Sequence, residues 1–273
     1  MWDGVLQGIG NLASAITALL LAEMVVMDVV LPPWIPTIEA FESLAGKWQA
    51  MAVLGIMNSS IAFWGIGGLF ALPALLKVSR WKIQAKTCDA SMLLRSLPLI
   101  TFNHFLGAVL ALPILRYTLP ETSFDWRALP STNVLARDVC VWLVVEEVLF
   151  FYVHRWLHEN KKMYAAVHKL HHTWTAPVSL VAIYCNPFEH VVSNILPVLA
   201  GPVLCRSHAA AFGVFLFVGT IHTLAVHSGY WICDDKGMHD EHHAKFSVNY
   251  GVLGLMDALY GTYQLPAGTK SAD

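Results

Sequence analysis

The chain contains 273 residues, of which 56% are hydrophobic and only 13% are charged. An average soluble domain is about half apolar and about a quarter charged, so this chain lacks the polar residues that a water-exposed surface would need. A lipid-facing surface removes that need, and the composition therefore predicts an integral membrane protein. The net charge of -2 argues against nucleic acid as a partner, because phosphate binding requires a strongly basic face.

Four apolar stretches in the first part of the chain are long enough to cross a hydrocarbon core, which takes about 20 helical residues. They cover residues 6–30, 52–76, 97–119 and 134–153. The first stretch follows Asp3 and contains Glu23 and Asp28, and no basic segment precedes it. We therefore expect it to be retained as a membrane helix and not to be cleaved as a signal peptide.

A basic cluster between the second and third predicted spans indicates the orientation, because basic residues in short loops mark the cytoplasmic side of a membrane. Its members are Lys77, Arg80, Lys82, Lys86 and Arg95. By parity the N-terminus is cytoplasmic, and the fourth span returns the chain to the cytoplasm at residue 154. Two later apolar stretches, residues 191–204 and 209–226, could lie in the interface, enter and return, or cross as a pair.

The predicted fold class is an all-α integral membrane protein, with about four transmembrane helices and a cytoplasmic helical cap rich in histidine. Residues 1–133 form the membrane-spanning N-terminal region in this prediction, and residues 134–273 form the catalytic region. The later apolar stretches must pack on the membrane helices. We therefore expect the two regions to form one structural unit.

Three histidine clusters follow the fourth predicted span, and their spacings of three and four residues repeat. They are His154 and His158; His168, His171 and His172; and His239, His242 and His243. Residues three or four apart lie on one helix face, about 5 to 6 Å apart at Cβ, so each cluster can direct two or three imidazoles toward one point. This pattern predicts a chelating metal site.

The number of histidines favours two metal ions. A zinc ion takes four ligands, so eight imidazoles are too many for one zinc. They suit two ions with five or six coordination positions each, and imidazole is a common ligand for iron. The metalloprotease motif HExxH is absent, because Arg155 occupies the glutamate position in the first cluster and Asp240 occupies it in the third. The five cysteines form no Cys-X-X-Cys pair, so neither a cysteine-zinc site nor a disulfide framework is expected.

At these residues the sequence resembles the fatty acid hydroxylase and sterol desaturase superfamily. The pattern of that superfamily is HxxxH, HxxHH, a lone histidine in an HSGY-like segment, and a final HxxHH. His227 in His227-Ser228-Gly229-Tyr230 matches the lone histidine, and the resemblance implies that it is a ninth ligand. The similarity covers residues 134–263. Residues 174–177 and 187–190 are most similar to the branch of 4-methylsterol monooxygenases and fatty acid hydroxylase domain-containing proteins.

The resemblance also implies the cofactors, partners and location of the protein. Two iron ions would form a diiron site, O2 would be the co-substrate, and electrons would come from NAD(P)H through a cytochrome b5-type carrier or its reductase. The protein would be a multi-pass protein of the endoplasmic reticulum membrane, with its N-terminus and histidine clusters in the cytoplasm. Its other partners would be a lipid substrate and the membrane, and not nucleic acid.

Three residues outside the histidine pattern are additional candidates. Many relatives have His-Pro where this chain has Asn186-Pro187, which alters a candidate tenth ligand. His190 could serve instead, as a ligand or as a hydrogen-bond partner that orients one. Glu147 falls where relatives usually have aspartate. It could hydrogen-bond the N–H group of a ligand histidine, or form a salt bridge near Arg137 or Arg155.

The resemblance therefore implies an O2-dependent oxidoreductase of lipid biosynthesis, a non-haem diiron monooxygenase that hydroxylates an unactivated C–H bond. The preferred substrate is a sterol, as in 4-methylsterol oxidation. A hydroxylase or desaturase of fatty acyl or sphingoid chains is the alternative, because the histidine pattern does not distinguish these substrates. A membrane metal-binding or transport protein is the non-enzyme alternative, although transporters place their ligands near the bilayer midplane, often in inverted repeats. A family member that binds lipid but has lost activity is a further possibility.

Overall fold

Helices make up the regular secondary structure of the computed structural model, which describes residues 2–233 and 236–266. The α-helices are α1 (Trp2–Val25), α2 (Ile35–Ala45), α3 (Lys47–Ser60), α4 (Gly67–Leu75), α5 (Ala90–Thr118), α6 (Thr132–Glu159), α7 (Lys161–Ala166), α8 (Pro187–Glu189), α9 (Leu196–Cys205), α10 (Ala209–Val226), α11 (Met238–Lys245) and α12 (Leu255–Tyr260). Single π-helical turns lie at Val26–Val30, Ile61–Ile66 and His190–Ile195. The 3-10 segments are Pro32–Trp34, Glu121–Phe124, His168–Thr173 and Ser179–Ile183. Within these described ranges there is no strand, and an isolated β-bridge joins Lys82 to Tyr230.

Five described helical segments are long and apolar enough to cross a membrane. They are Asp3–Val30, Lys47–Leu75, Ala90–Thr118, Pro187–Cys205 and Ala209–Val226. The first three overlap the first three predicted spans. The last two are the late apolar stretches whose placement the sequence left open. The chain therefore has the all-helical, membrane-spanning character that its composition predicts.

The prediction of a membrane span at residues 134–153 is not confirmed. These residues do form part of a long helix, α6, but that helix is not one of the five apolar segments. Its charged residues include Arg137, Asp138, Glu146 and Glu147, and charged groups are costly in hydrocarbon. The helix hides part of this charge inside the protein, where Asp138 and Glu147 are each only 1% exposed.

The long helices run between two ends of the molecule. One end, here called the distal end, joins the loop after α5 to the loop between α9 and α10. There the Ser123 hydroxyl donates to the Arg206 carbonyl at 3.1 Å, and Lys47 lies 3.1 Å from Glu121. The opposite end, here called the histidine end, contains the start of α1 and the end of α6. The Asn11 amide donates to the Leu253 carbonyl there, at 2.8 Å.

Close packing of α6 against α9 fixes the helix that begins the histidine pattern. Trp142 of α6 is fully buried, and its indole N–H donates to the Ser207 hydroxyl at 3.1 Å. Gly201 of α9 lies against it, and a Cβ atom at Gly201 would be 2.7 Å from the Trp142 Cα atom. A side chain at position 201 would therefore separate the two helices. This contact holds α6 in place and so positions His154 and His158 at its end.

Candidate metal centre

The structure brings all nine predicted histidine ligands together at the histidine end. They form two groups, and within each group one nitrogen atom per residue lies within 4.8 Å of the others. The five-histidine group consists of His154, His158, His168, His172 and His242. The four-histidine group consists of His171, His227, His239 and His243. Either group could hold a metal ion.

Each HxxHH cluster contributes to both groups. In the second cluster, His168 and His172 point to the five-histidine group and His171 points to the other. In the third cluster the assignment is the opposite: His239 and His243 belong to the four-histidine group, and His242 belongs to the five-histidine group. In the α-helix α11, residues four apart such as His239 and His243 lie on one face, and His242 faces elsewhere. The 3-10 segment His168–Thr173 divides its histidines in the same way. One HxxHH motif can therefore bridge two sites.

The spacing of the ring nitrogens tests whether these groups fit metal ions. In the five-histidine group, Nε2 of His168 lies 2.7 Å from that of His158 and 3.0 Å from that of His172. In the four-histidine group, Nε2 of His239 lies 2.9 Å from that of His227 and 3.1 Å from that of His243. Two ligands at right angles on an ion with bonds of about 2.1 Å are about 3.0 Å apart, whereas tetrahedral ligands are about 3.4 Å apart. The closest nitrogen pairs therefore stand near the spacing of ligands at right angles on one ion, and each donor set could hold a metal ion.

The second ring nitrogen, Nδ1, has a defined partner in several of these histidines. In the five-histidine group, His154 donates to the Tyr250 carbonyl at 2.8 Å and His242 donates to the Val248 carbonyl at 2.7 Å. His168 Nδ1 lies 2.7 Å from a carboxylate oxygen of Glu189. A partner on Nδ1 fixes the tautomer and turns Nε2 toward the metal. In the four-histidine group, His227 donates to the Thr223 carbonyl at 2.7 Å.

Burial keeps these imidazoles neutral. Loss of solvent lowers the pKa of His171 to about 4 and the pKa of His227 to about 3. For His227, the neighbouring His171 adds to this effect. A neutral imidazole keeps the nitrogen lone pair that a metal needs. The site is therefore set to bind metal at cellular pH.

Comparison with known proteins identifies the family. The fatty acid hydroxylase family model matches residues 139–262. "Fatty acid hydroxylase domain-containing protein 2" of Homo sapiens is 32% identical over 239 residues, which cover 82% of this chain and 70% of the relative. The chain belongs to the fatty acid hydroxylase family.

Two further members of the family show its range. "Methylsterol monooxygenase 1" of Rattus norvegicus is 29% identical over 233 residues, covering 74% of this chain and 77% of the relative. "Very-long-chain aldehyde decarbonylase GL1-11" of Oryza sativa subsp. indica is 27% identical over 250 residues, which cover 82% of this chain and 90% of the relative. The family therefore includes proteins named for different lipid reactions. No solved structure matches the chain.

In this family member, Glu147 has a role that the sequence analysis did not predict. Its carboxylate touches neither a ligand histidine nor an arginine. It accepts the backbone N–H groups of Val252, Leu253 and Met256 at 2.7 to 2.9 Å. Both predicted roles are corrected by this geometry. Glu147 instead anchors the loop after α11 to the middle of α6.

That loop, residues 246–254, carries the carbonyl groups that orient two ligand histidines. Asp257 holds it as well, because its carboxylate accepts the N–H groups of Tyr250 and Gly251 at 2.7 and 2.6 Å. The Tyr250 carbonyl then accepts from His154. Glu147 therefore acts on the five-histidine group indirectly, because it and Asp257 fix the backbone segment that orients His154.

The two additional candidates, His190 and Asn186, lie in neither histidine group. The Asn186 side chain caps α8 by accepting the N–H group of Phe188 at 2.9 Å. His190 Nδ1 lies 3.1 Å from the side-chain amide of Asn194. The geometry supports neither residue as a ligand.

The acidic partner of His168 is the functional residue that the sequence analysis missed. Glu189 is 4% exposed, and its contact with His168 is the one carboxylate contact found for a ligand histidine in the described ranges. The signal was present, because Glu189 precedes His190 in the segment that resembles the sterol branch. A buried acid near metal-binding histidines is a common orienting partner, and it was a stronger candidate than the histidine beside it.

Proposed function

We propose that the protein is a membrane-bound non-haem diiron monooxygenase that hydroxylates an unactivated C–H bond of a lipid, with a sterol of the 4-methylsterol type as its substrate. One observation carries the proposal. Two groups of buried histidines lie side by side, and neighbouring ring nitrogens stand at the spacing of ligands at right angles on one ion. The donor set contains imidazole alone, which suits iron.

The nine histidines would hold two iron ions, one in each group. Bound iron would supply the chemistry that activates O2 for attack on a C–H bond. The protein would supply the metal ligands, hold them in a fixed orientation and exclude water from the site. His154, His168 and His242 are oriented by their Nδ1 partners, and the ligand rings are largely shielded from water. A dry site limits side reactions of O2 with solvent.

The choice of a sterol rests on the relatives. A protein named as a methylsterol monooxygenase matches 74% of this chain. A second candidate substrate is a long acyl or sphingoid chain, and the rice protein named as a very-long-chain aldehyde decarbonylase favours it. Both substrates would reach the histidine end from the surrounding lipid, since apolar segments such as Ala209–Val226, which ends directly before His227, border on it.

Electron supply and location complete the proposal. Electrons would come from NAD(P)H through a cytochrome b5-type carrier, and the protein would lie in the endoplasmic reticulum membrane. The basic cluster at residues 77–95 supports a cytoplasmic histidine end, because its loop contacts that end. The Gln84 side chain donates to the Asp240 carboxylate at 2.8 Å, and Asp240 follows a ligand histidine.

Lipid profiling tests the substrate and the metal site together. Cells that lack the protein are complemented with wild type, His171→Ala or the matched control His222→Ala, and their sterols and acyl lipids are measured by mass spectrometry. His222 lies outside both groups, so its variant should behave as wild type. We expect 4-methylsterols to accumulate in cells that lack the protein. Wild type and His222→Ala should return them to their normal level, and only His171→Ala should fail to do so. Unchanged sterols with a missing hydroxylated acyl or sphingoid species would select the second candidate, and rescue by His171→Ala would reject the diiron site.

A further inference from the structure

A pocket of 360 Å³ lies at the histidine end, beside the loop that joins α4 to α5. This volume falls in the range of about 300 to 1,000 Å³ that is typical of ligand sites. Its walls come from residues 74–88 and from Tyr230, and none of the nine histidines lines it. The pocket is therefore separate from the two histidine groups. It is here called the basic pocket.

The lining of the basic pocket is positively charged. It includes the basic residues Lys77 and Lys82 and the hydroxyl-bearing residues Ser79 and Thr87, with no aspartate or glutamate. The Tyr230 ring forms one wall, and the Lys82 ammonium stands 5.2 Å from its centre. Two cations with neighbouring hydroxyl donors match the oxygens of a phosphate group.

Neither lysine of the basic pocket is neutralised within the ranges that the structure describes. No ion pair there involves Lys77 or Lys82. Asp240 attracts Lys82 from a distance, but its carboxylate accepts hydrogen bonds from Gln84 at 2.8 and 3.2 Å. Lys82 is also half-buried. A partly desolvated ammonium without a close anion favours a negatively charged ligand.

The position of the loop indicates where that ligand comes from. The loop follows the apolar segment Lys47–Leu75 and precedes Ala90–Thr118. At its start Leu76 is 73% exposed, and Trp81 is 49% exposed with the Arg80 guanidinium 4.3 Å from its ring. Exposed leucine, tryptophan and arginine together are typical of the level of lipid headgroups. Lipid phosphates would therefore lie beside the pocket.

We propose that the basic pocket binds the phosphate group of an anionic lipid headgroup. Lys77 and Lys82 would bind the phosphate oxygens, and the hydroxyls of Ser79 and Thr87 would donate to them. The same loop pairs with the segment after His227, because the Ile83 N–H donates to the Gly229 carbonyl at 3.0 Å. A bound phosphate would thus stabilise the loop against the histidine end. The inference does not depend on which lipid the protein oxidises.

Binding to nanodiscs tests this site. Purified full-length protein is placed in phosphatidylcholine nanodiscs with and without phosphatidic acid, and retained lipid is counted by native mass spectrometry. The test variant is Lys77→Gln with Lys82→Gln, and its matched control is Lys162→Gln with Lys169→Gln, which removes the same charge from outside the pocket. Because each lysine near an anionic lipid contributes about fivefold in affinity, the loss of two should make the test variant bind phosphatidic acid about 30-fold more weakly. The control should match wild type.

Two further arms separate the possible outcomes. Inorganic phosphate and pyrophosphate are added as competitors, and weak competition supports the lipid source. Complete competition at low concentration would instead overturn the lipid source and assign the pocket to a soluble phosphate compound. Equal losses in the test and control variants would overturn the site itself, because they would indicate only diffuse surface attraction. The variant Lys77→Arg with Lys82→Arg keeps the charge and should keep binding, which excludes misfolding as the cause of a loss.

Discussion

The two histidine groups share their motifs but differ in how their rings are held. In the five-histidine group, three rings have an Nδ1 partner, and one of these partners is the carboxylate of Glu189. In the four-histidine group, His227 has a backbone partner, while His243 Nδ1, like His172 Nδ1 in the five-histidine group, is buried without one. The first group therefore has more ligands and better-fixed ligands.

Because their ligands are held differently, the two ions of the proposed centre are not expected to be equivalent. Hydrogen bonds that orient a ligand histidine typically change metal affinity by about 10- to 100-fold. We expect the five-histidine group to retain its ion and the four-histidine group to release its ion first. The latter also has fewer protein ligands, which leaves more positions for O2 or substrate.

The largest effect is expected from adjacent ligands that belong to different groups. We predict that His242→Ala and His243→Ala each lower product formation by more than about 100-fold. Metal content should separate them, because His243→Ala leaves only three ligands in its group and His242→Ala leaves four in the other. Elemental analysis should therefore show a greater loss of metal from His243→Ala. Equal losses of metal from the two variants would contradict the proposal that the two ions are held differently. Full activity in either variant would exclude that residue as a ligand.

A smaller effect is expected from the acid beside His168. Glu189→Gln keeps the shape of the side chain but replaces the carboxyl group that faces His168 Nδ1 with a weaker amide acceptor, so metal release to a chelator should become about 10- to 100-fold faster. The affected ion should be the one in the five-histidine group. Glu159→Gln is the matched control, because Glu159 is an exposed partner of Arg155. Release kinetics equal to those of the control would show that Glu189 does not orient a ligand.

A third prediction concerns the loop that supports the five-histidine group. Glu147→Gln replaces a carboxylate that accepts three backbone N–H groups. Bonds to a charged group contribute about 1.5 to 3 kcal/mol each, and the amide oxygen can retain part of them, so we expect a loss of about 2 to 4 kcal/mol in unfolding free energy. Unfolding in mixed detergent measures the change, with Glu146→Gln as the neighbouring control. An unchanged unfolding midpoint would contradict the anchoring role.

The sequence predicted the histidine site more fully than the membrane topology, and the reason is physical. The HxxHH spacing acts through local helical geometry, so nine ligand candidates could be named without knowing how the helices pack. The role of Glu147 and the importance of Glu189 depend on contacts between residues more than 20 positions apart. The span predicted at residues 134–153 is not confirmed for a similar reason. Whether Asp138 and Glu147 face lipid or protein is decided by tertiary packing, which composition does not reveal.

The smallest predicted effect tests the same loop from its backbone side. A Cβ atom at Gly251 would lie 2.7 Å from the Glu147 Oε1 atom and 2.9 Å from the Asp257 Oδ2 atom. Gly251→Ala must therefore push the loop away from its two anchors, at a cost of about 1 to 3 kcal/mol. Since Tyr250 precedes it, the shift would weaken the contact with His154 and speed metal release from the five-histidine group alone. Gly55→Ala is the control, because nothing lies within 4 Å of its added Cβ. Faster metal release from both groups would show that the loop supports the whole centre. The difference in metal retention between the two groups would then arise from the number of ligands and from Glu189.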